Sequence, residues 1–439
     1  MQCYTRTSLA SVRSGSTSKL ARANTPVFAS SPYLAAKAVQ QRRTMQQCAA
    51  AAEAPAATDR AALLDRMRGA LWGIFIADAL SMPVHWYYSV TDLKRDFGEI
   101  TDYQAPKARH PSSIMSLSNT GGHGRGGQAG RIIGDVINHG KHQFWGVPNT
   151  HYHRGMAAGE NTLNAICARV VMRGIAANGG KYDPAVFLRD YVGFMTTPGS
   201  HTDTYAESFH RDFFKNWAAG VPPERCALGT EGHNTAQIGG FVMLPPVIMA
   251  AVAAAARASS SSGGVDSAAA AAAAQAATHL RTTHDSNKLT AVAERYAQVM
   301  ARAALGEPLR PLLEAEAKRL RFSPAQLADK LWDDTNIVHS VFGSACYIES
   351  SWPSVLYLAW KYSDSFEKAV LSNTNVGGEN CHRGAALGAL MGAAVGESAI
   401  PARLIQGLAA SEEIGREIDA FCAAVLPAET PAEQPAALV

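Results

Sequence analysis

The chain has 439 residues, of which 47% are hydrophobic and 18% are charged, a balance typical of a soluble globular protein with one large core or two smaller ones. The formal net charge of +3 depends on residues 1–52, which contain seven Lys or Arg and no acid, so about −4 remains for the rest. That remainder argues against a nucleic-acid partner. Seven cysteines without CxxC spacing argue against a disulfide framework or a zinc knuckle, and for a reducing compartment.

Residues 1–57 have the composition of an organelle transit peptide. A dozen Ser or Thr lie in residues 1–52, no acid precedes Glu53, and the apolar core of a secretion signal is missing. The segment is rich in Ser and Ala without a clear amphipathic Arg helix, so we expect the chloroplast rather than the mitochondrion as destination. A disordered tail without a targeting role has the same composition.

From Asp59 to about residue 82, apolar and small residues recur at every third and fourth position, which predicts a core helix. The same spacing predicts helices over 162–176, 184–196, 203–218, 235–256, 289–304, 325–333, 354–361 and 383–396. Alternating β-branched runs are almost absent, so the sequence predicts an all-α fold. The apolar run 240–256 contains a Pro pair, which favours a buried helix over a membrane span.

Two low-complexity segments interrupt or follow these helices. Residues 257–286 combine a Ser/Gly run with an Ala run, and we expect a mobile insertion followed by a solvated helix. Residues 426–439 are rich in Pro, Ala and Glu, which predicts a disordered tail.

Small residues at every fourth position mark two of the predicted helices. The two sets are Gly69, Gly73, Ala77 and Ser81, and Gly384, Gly388, Gly392 and Gly396. Residues four apart lie along one ridge of a helix, and each interior glycine costs about 1 kcal/mol relative to alanine. Such ridges therefore indicate close packing, either against each other or against separate neighbours.

Polar residues capable of chemistry cluster at two predicted helix starts. One start reads GENT at residues 159–162, and the other reads GGENCH at 377–382. The parallel wording indicates that the two ends converge on one pocket, which suits an anion at the helix N-termini or a cation at the carboxylates. Ordinary capping explains each start equally well.

Residues 200–214, SHTDTYAESFHRDFF, carry further candidates. On a helix, Asp203, Glu207 and His210 share one face, and the Glu-x-x-His spacing is used for metals in helical bundles. A solvated, salt-bridged face is the alternative interpretation. His233 opens a later helix, where a ligand contact and a cap are equally plausible.

The sequence resembles the ADP-ribosylglycohydrolase family, which includes the ADP-ribosylhydrolases and the J-crystallins, and it is most like the J-crystallin branch around residues 200–214. GALWGIFIADALSMPVHW resembles the family's opening helix, GENT stands at its TDDT motif, and GGENCHRG precedes a glycine-ridged helix as GGDTDT does. The resemblance implies a single compact domain of orthogonal helices over residues 58–425. It also implies two Mg²⁺ ions that orient ADP-ribose and a water for cleavage of an N- or O-glycosidic bond.

Most of the implied metal ligands are altered in this chain. His85 matches the glutamate that ends the opening motif, Glu160 and Asn161 match the two aspartates of TDDT with Thr162 kept, and Glu379, Cys381 and His382 match GGDTDT. Five carboxylates thus become two. Mg²⁺ prefers oxygen-rich octahedral sites, whereas a mixed Glu/His/Cys set suits one Zn²⁺-like ion. A pocket without metal is the remaining possibility.

The resemblance, together with the polar patterns at residues 200–214 and 233, suggests roles for the candidate residues. Catalytic roles fall to Glu379 and Glu160. Metal binding falls to Glu160, Thr162, Glu379, His382, Cys381 and His85, and substrate binding to Asn161, Asn380, His201, Asp203, Glu207 and His233. We expect a hydrolase acting on ADP-ribose or an ADP-ribosylated substrate, without nucleic-acid or membrane partners. A non-catalytic nucleotide-binding protein and a crystallin-like structural protein are the alternatives.

Overall fold

The computed structural model of the protein describes residues 59–117, 132–230, 235–258, 264–330 and 332–428. The described residues all fall within one compact unit. The predicted transit peptide, His233 and the tail from residue 429 onward lie outside them.

Helices account for most of the described chain. Those of eight residues or more are α1 Arg60–Ser81, α2 Val90–Phe97, α3 Leu163–Ala177, α4 Pro184–Thr196, α5 Ser208–Ala218, α6 Leu244–Ala258, α7 Gly264–Arg281, α8 Asn287–Ala304, α9 Leu309–Arg319, α10 Ile348–Lys361, α11 Phe366–Asn375, α12 Asn380–Val395 and α13 Ser411–Val425. Shorter helices span His142–Trp145, Pro324–Ala328, Asp334–Asn336 and Ala402–Gln406. Within the described ranges only isolated β-bridges occur and no strand forms, so the all-α prediction is confirmed.

The helix α1 forms for local reasons that the sequence shows. Asp59 caps its N-terminus by accepting hydrogen bonds from the backbone N–H groups of Ala61 and Ala62, which satisfies two of the free donors of the first turn. From Gly69 onward every residue of α1 is buried. The helix is therefore a central element rather than an amphipathic surface helix.

The glycine ridges of α1 and α12 face each other. A Cβ built on Gly73 would overlap the carbonyl oxygen of Gly388, and one built on Gly392 would overlap that of Gly69. The two backbones are in direct contact, which explains why the sequence accepts the helix-propensity cost of glycine. Of the two arrangements considered for the ridges, the structure shows the mutual one.

Several sequence-based expectations are wrong. The helix predicted over 325–333 ends at Ala328, and the helix predicted over 235–256 is α-helical only from Leu244. The predicted helix 203–218 begins only at Ser208, because Asp203 lies in a loop where its carboxylate accepts backbone N–H groups of Leu163 and Tyr205. Asp203, Glu207 and His210 therefore do not share a helical face.

The Ala-rich part of the predicted insertion is α7, and one face of this helix is buried. The buried face comprises Ala268, Ala269, Ala272, Ala273, Ala276, Ala277, His279 and Leu280. It packs on α6 and α8, so the expectation of a solvated helix is wrong. Alanine permits this contact because its small side chain lets neighbouring helices approach closely.

The segment Ile238–Ala258 is long and apolar enough to cross a membrane by length and composition alone, but 89% of its most apolar window is buried inside the protein. It serves here as a core helix.

Candidate active site

A two-glycine turn sets the start of α12. Gly377 and Gly378 both have left-handed backbone angles, with φ of 67° and 66°. A Cβ on Gly377 would overlap the carbonyl oxygen of Tyr87, and one on Gly378 would overlap that of Ser344. This close approach requires glycine at both positions, and it directs the next residue, Glu379, into the interior as the N-cap of α12.

Three buried side chains meet at this N-cap. Oε1 of Glu379 lies 3.0 Å from Nε2 of His85 and 2.9 Å from Nδ1 of His382. Oε2 accepts a hydrogen bond of 2.5 Å from the indole N–H of Trp86. The exposed fraction is 0% for His85 and Glu379 and 2% for His382. We call His85, Glu379 and His382 the Glu–His cluster.

A polar chain extends from His85 to a second buried carboxylate. Nδ1 of His85 lies 2.7 Å from Nε2 of His153, and Nδ1 of His153 lies 2.8 Å from Oδ1 of Asp203. Both His153 and Asp203 are 1% exposed. Asp203 is thereby connected to the cluster through two imidazole rings.

On the other side of the cluster stands Glu207. Its Oε1 lies 3.5 Å from Nδ1 of His382 and, although it is buried, it accepts no hydrogen bond within the described part of the chain. Its Oε2 accepts a hydrogen bond from the side-chain amide of Asn164, whose carbonyl oxygen lies 2.9 Å from Nε2 of His210. Nδ1 of His382 likewise lacks an aligned hydrogen bond, so its contact with Glu379 is an ion pair.

Burial and charge pairing shift the pKa values of the cluster in opposite directions. Burial alone raises the pKa of Glu379, but the adjacent imidazoles of His382 and His85 lower it well below its usual value. Burial alone lowers the pKa of His382, but Glu207 and Glu379 raise it to about 10. Burial lowers the pKa of His85 to about 3. At neutral pH the cluster thus holds an ionised Glu379, a cationic His382 and a neutral His85.

The GENT start of α3 is bound to Asp78 rather than to the Glu–His cluster. Oδ2 of Asp78 accepts hydrogen bonds from the side-chain amide of Asn161 at 3.0 Å and the backbone N–H of Thr162 at 2.8 Å. Oδ1 accepts from the hydroxyl of Thr162 at 2.6 Å and the thiol of Cys381 at 3.1 Å. Asp78 therefore connects the start of α3 with the start of α12, the two helix starts that share the Gly-Glu-Asn sequence.

Glu160 and Cys381 differ most from their expected roles as metal ligands. The carboxylate of Glu160 accepts hydrogen bonds from the backbone N–H of Ala157 and the hydroxyl of Thr202 near the surface. The structure does not bring it into the Glu–His cluster. Burial raises the pKa of Cys381 well above its usual value, so its sulfur remains a thiol bonded to Asp78.

The remaining candidates have separate positions. The side-chain amide of Asn380 donates to the carbonyl of Thr374 at 2.9 Å, and its side-chain oxygen, Oδ1, is buried without a hydrogen bond from any described residue. The ring of His201 packs against Phe194. Asp203 and Glu207 both approach the cluster, from the loop before α5 and from its N-cap.

Sequence reasoning missed the roles of Trp86, His153 and Asn164. The pattern HYH at residues 151–153 was a usable signal, because histidine is a common acid–base group and metal ligand. Nothing in the local pattern distinguished Asn164 from an ordinary first-turn residue.

These motifs, on this all-α fold, define a helical hydrolase family. A family model for ADP-ribosylglycohydrolase matches residues 59–434, and the chain belongs to this family. Among solved structures, one described as an "ADP-ribosylglycohydrolase-related protein complex" aligns at 20% sequence identity with a TM-score of 0.49, covering 82% of this chain and 97% of that chain. A comparison with curated proteins found no match.

The residues present do not fit the two Mg²⁺ ions that the resemblance implies. Two such ions need several carboxylates and near-octahedral oxygen coordination. The oxygens of Asp78 and Asp203 already accept hydrogen bonds from the protein, and Glu160 lies apart. Glu379 is the one carboxylate of the Glu–His cluster.

Proposed function

We propose that this protein is a hydrolase that cleaves a glycosidic bond of ADP-ribose or of a related nucleotide conjugate, at a site diverged from that of its family. The observation that carries the proposal is the Glu–His cluster at the N-terminus of the glycine-ridged helix α12. Family membership supports the hydrolase class, and the expected substrate is a small-molecule or ADP-ribosylated conjugate rather than nucleic acid.

The cluster supplies the two groups that glycosidic hydrolysis requires. A water must be deprotonated or oriented, and the leaving group must receive a proton. Glu379 is held ionised and accepts hydrogen bonds, so it suits the water. His382 carries a proton beside Glu207, so it suits the leaving group. Asp203 and His153 position His85, which in turn orients Glu379.

The test measures release of ADP-ribose from an arginine-linked and an ester-linked conjugate by chromatography. We expect the full chain to cleave at least one of them, and Glu379→Gln to lose at least 100-fold in rate. Glu160→Gln is the matched control, because Glu160 lies near the surface outside the cluster. Thermal melts must show that both variants are folded.

Equal rates for Glu379→Gln and the parent would contradict the assignment of Glu379. Loss of activity in Glu160→Gln alone would move the site to the GENT motif.

A non-catalytic role in nucleotide binding is the second candidate, and the burial of the cluster favours it. The three side chains contact one another and are at most 2% exposed, as in a structural ion-pair network. In that case calorimetric titration shows ADP-ribose binding, and no conjugate is cleaved. A crystallin-like structural protein would show neither binding nor cleavage.

A further inference from the structure

The ligand-capable atoms of the Glu–His cluster surround a common point. His85, Glu379 and His382 each offer one ligand atom, and these three atoms lie within 4.8 Å of one another. Oε1 of Glu379 lies 3.0 Å from Nε2 of His85 and 2.9 Å from Nδ1 of His382. Tetrahedral Zn²⁺ with bonds of about 2.0–2.1 Å holds its ligands about 3.3 Å apart. The cluster is therefore close to the spacing of such a site before any ion is considered.

In two of the three groups, His85 and Glu379, the second polar atom of the side chain is already held by the protein. Nδ1 of His85 is bonded to His153, which is bonded to Asp203, and Oε2 of Glu379 accepts the indole N–H of Trp86. Metal-binding imidazoles and carboxylates are characteristically fixed in this way through their outer atoms. The remaining atoms, Nε2 of His85 and Oε1 of Glu379, face Nδ1 of His382 and are the ones that would coordinate an ion.

Glu207 supplies the remaining charge. Its Oε1 is buried, lies 3.5 Å from Nδ1 of His382 and accepts no hydrogen bond from the residues that the structure describes. Together with Glu379 it offers two negative charges, which match one divalent cation. A buried carboxylate oxygen without a donor is otherwise costly.

We propose that His85, Glu379 and His382 bind one transition-metal ion of the Zn²⁺ class, with Glu207 balancing its charge, in place of the two Mg²⁺ ions implied by the family resemblance. Two imidazoles and one carboxylate form the donor set of many zinc hydrolases, with a fourth position left open. Imidazole also favours such ions over Mg²⁺. This inference rests on the proposed hydrolase class, but it replaces the acid and base roles given above to His382 and Glu379, because a coordinated Nδ1 or Oε1 cannot transfer a proton. Its test reads the metal directly.

The first experiment measures metal content of the full chain by mass spectrometry after dialysis against zinc-containing buffer. We expect about one zinc per chain and little magnesium, and a melting temperature that falls on chelation and recovers with Zn²⁺ but not with Mg²⁺. Co²⁺ loaded into the chelated protein should give the intense visible absorption of a four-coordinate site.

Variants locate the ion. His382→Gln and Glu379→Gln should each reduce bound zinc at least tenfold, with a smaller reduction for Glu207→Gln. Cys381→Ser is the matched control. Residue 381 is adjacent to His382 in the chain, but its thiol donates to Asp78 and not to the Glu–His cluster. This variant should bind zinc as the parent does. Because a cluster variant can fail to fold, titration of Zn²⁺ into the chelated parent gives a result that needs no variant.

Absence of zinc binding by the parent, or retention of zinc by folded His382→Gln, overturns the inference. Two magnesium ions per chain overturn it as well. Zinc binding without cleavage of any conjugate supports the metal site and contradicts the proposed hydrolase activity. Cleavage by a protein that binds no zinc supports the hydrolase activity and contradicts the metal site.

Discussion

At the position of Glu379, one carboxylate serves three neighbours at once. Oε1 contacts both His85 and His382, and Oε2 accepts from Trp86. An amide of the same shape offers only one accepting oxygen, so its N–H₂ group must face either the indole N–H or an imidazole N–H. This demand on a single residue explains why Glu379 is reached through a backbone turn that only glycines can make.

Far from the cluster, His279 provides a test of buried histidines as acid sensors. Burial lowers its pKa to about 3, and its Nδ1 lies 2.8 Å from the hydroxyl of Tyr182. The unfolded chain takes up this proton below about pH 6.5, whereas the native protein does not until about pH 3. The free energy of unfolding contributed by His279 is therefore present above pH 6.5 and is lost as the pH falls.

We expect the loss to approach 1.4 kcal/mol per pH unit for one such group. In His279→Gln, denaturant melts between pH 6 and pH 4 should show a shallower pH dependence by about one proton than the parent. Equal slopes for both proteins would show that His279 is already protonated in the native state.

Among the elements, the pair α1 and α12 makes the strongest demand on sequence. In Gly388→Ala the new methyl group would overlap the backbone of Gly73, which cannot rotate away as a side chain can. We expect a loss of about 2 kcal/mol in the free energy of unfolding, despite a gain of up to about 1 kcal/mol in helix propensity. Denaturant melts at constant pH measure the change.

Gly193 in α4 is the control for this substitution. It is also inside a helix, but a Cβ built there meets no atom within 4 Å. Gly193→Ala should therefore stabilise the protein by up to about 1 kcal/mol. If the free energy of unfolding increases in both variants, helix propensity rather than the backbone contact determines the effect.

The packing of the buried face of α7 can be tested by substituting glutamate at each of two adjacent positions, one buried and one exposed. Ala272 is 0% exposed, whereas Ala271 is exposed. Ala272→Glu places a carboxylate in the contact between helices and should cost about 3 kcal/mol or more. Ala271→Glu should change stability by less than about 0.5 kcal/mol, and similar losses in both would mean that α7 packs differently.

The sequence predicted elements with strong apolar periodicity and missed those whose formation depends on neighbours. The helix 184–196 was predicted with its exact bounds, because Asp183 and Pro184 mark its start. By contrast, α7 consists mostly of alanine, so no period shows which face is buried. For the site, the two polar starts were visible, but their link through Asp78 and the chain through His153 depends on the tertiary fold.

At the scale of the whole molecule, the first 58 residues carry a separate prediction. We predict from their composition that they act as a transit peptide, so a fusion of residues 1–58 to a fluorescent protein should enter an organelle, and the chloroplast is the expected one. A matched fusion with its seven Lys and Arg replaced by Gln should stay outside. Diffuse cytosolic fluorescence from the unaltered fusion would contradict the prediction.

The contact between α1 and α12 also has a consequence in time. His85 and Glu379 are 294 positions apart, and a ribosome adding about 5–20 residues per second needs about 15–60 s to span that interval. During this interval α12, the helix that packs on the glycine ridge of α1, has not yet been synthesised. Contacts between residues this distant in sequence also form slowly. The Glu–His cluster therefore assembles only after nearly all of the chain has left the ribosome, and until then α1 offers chaperones an exposed apolar binding segment.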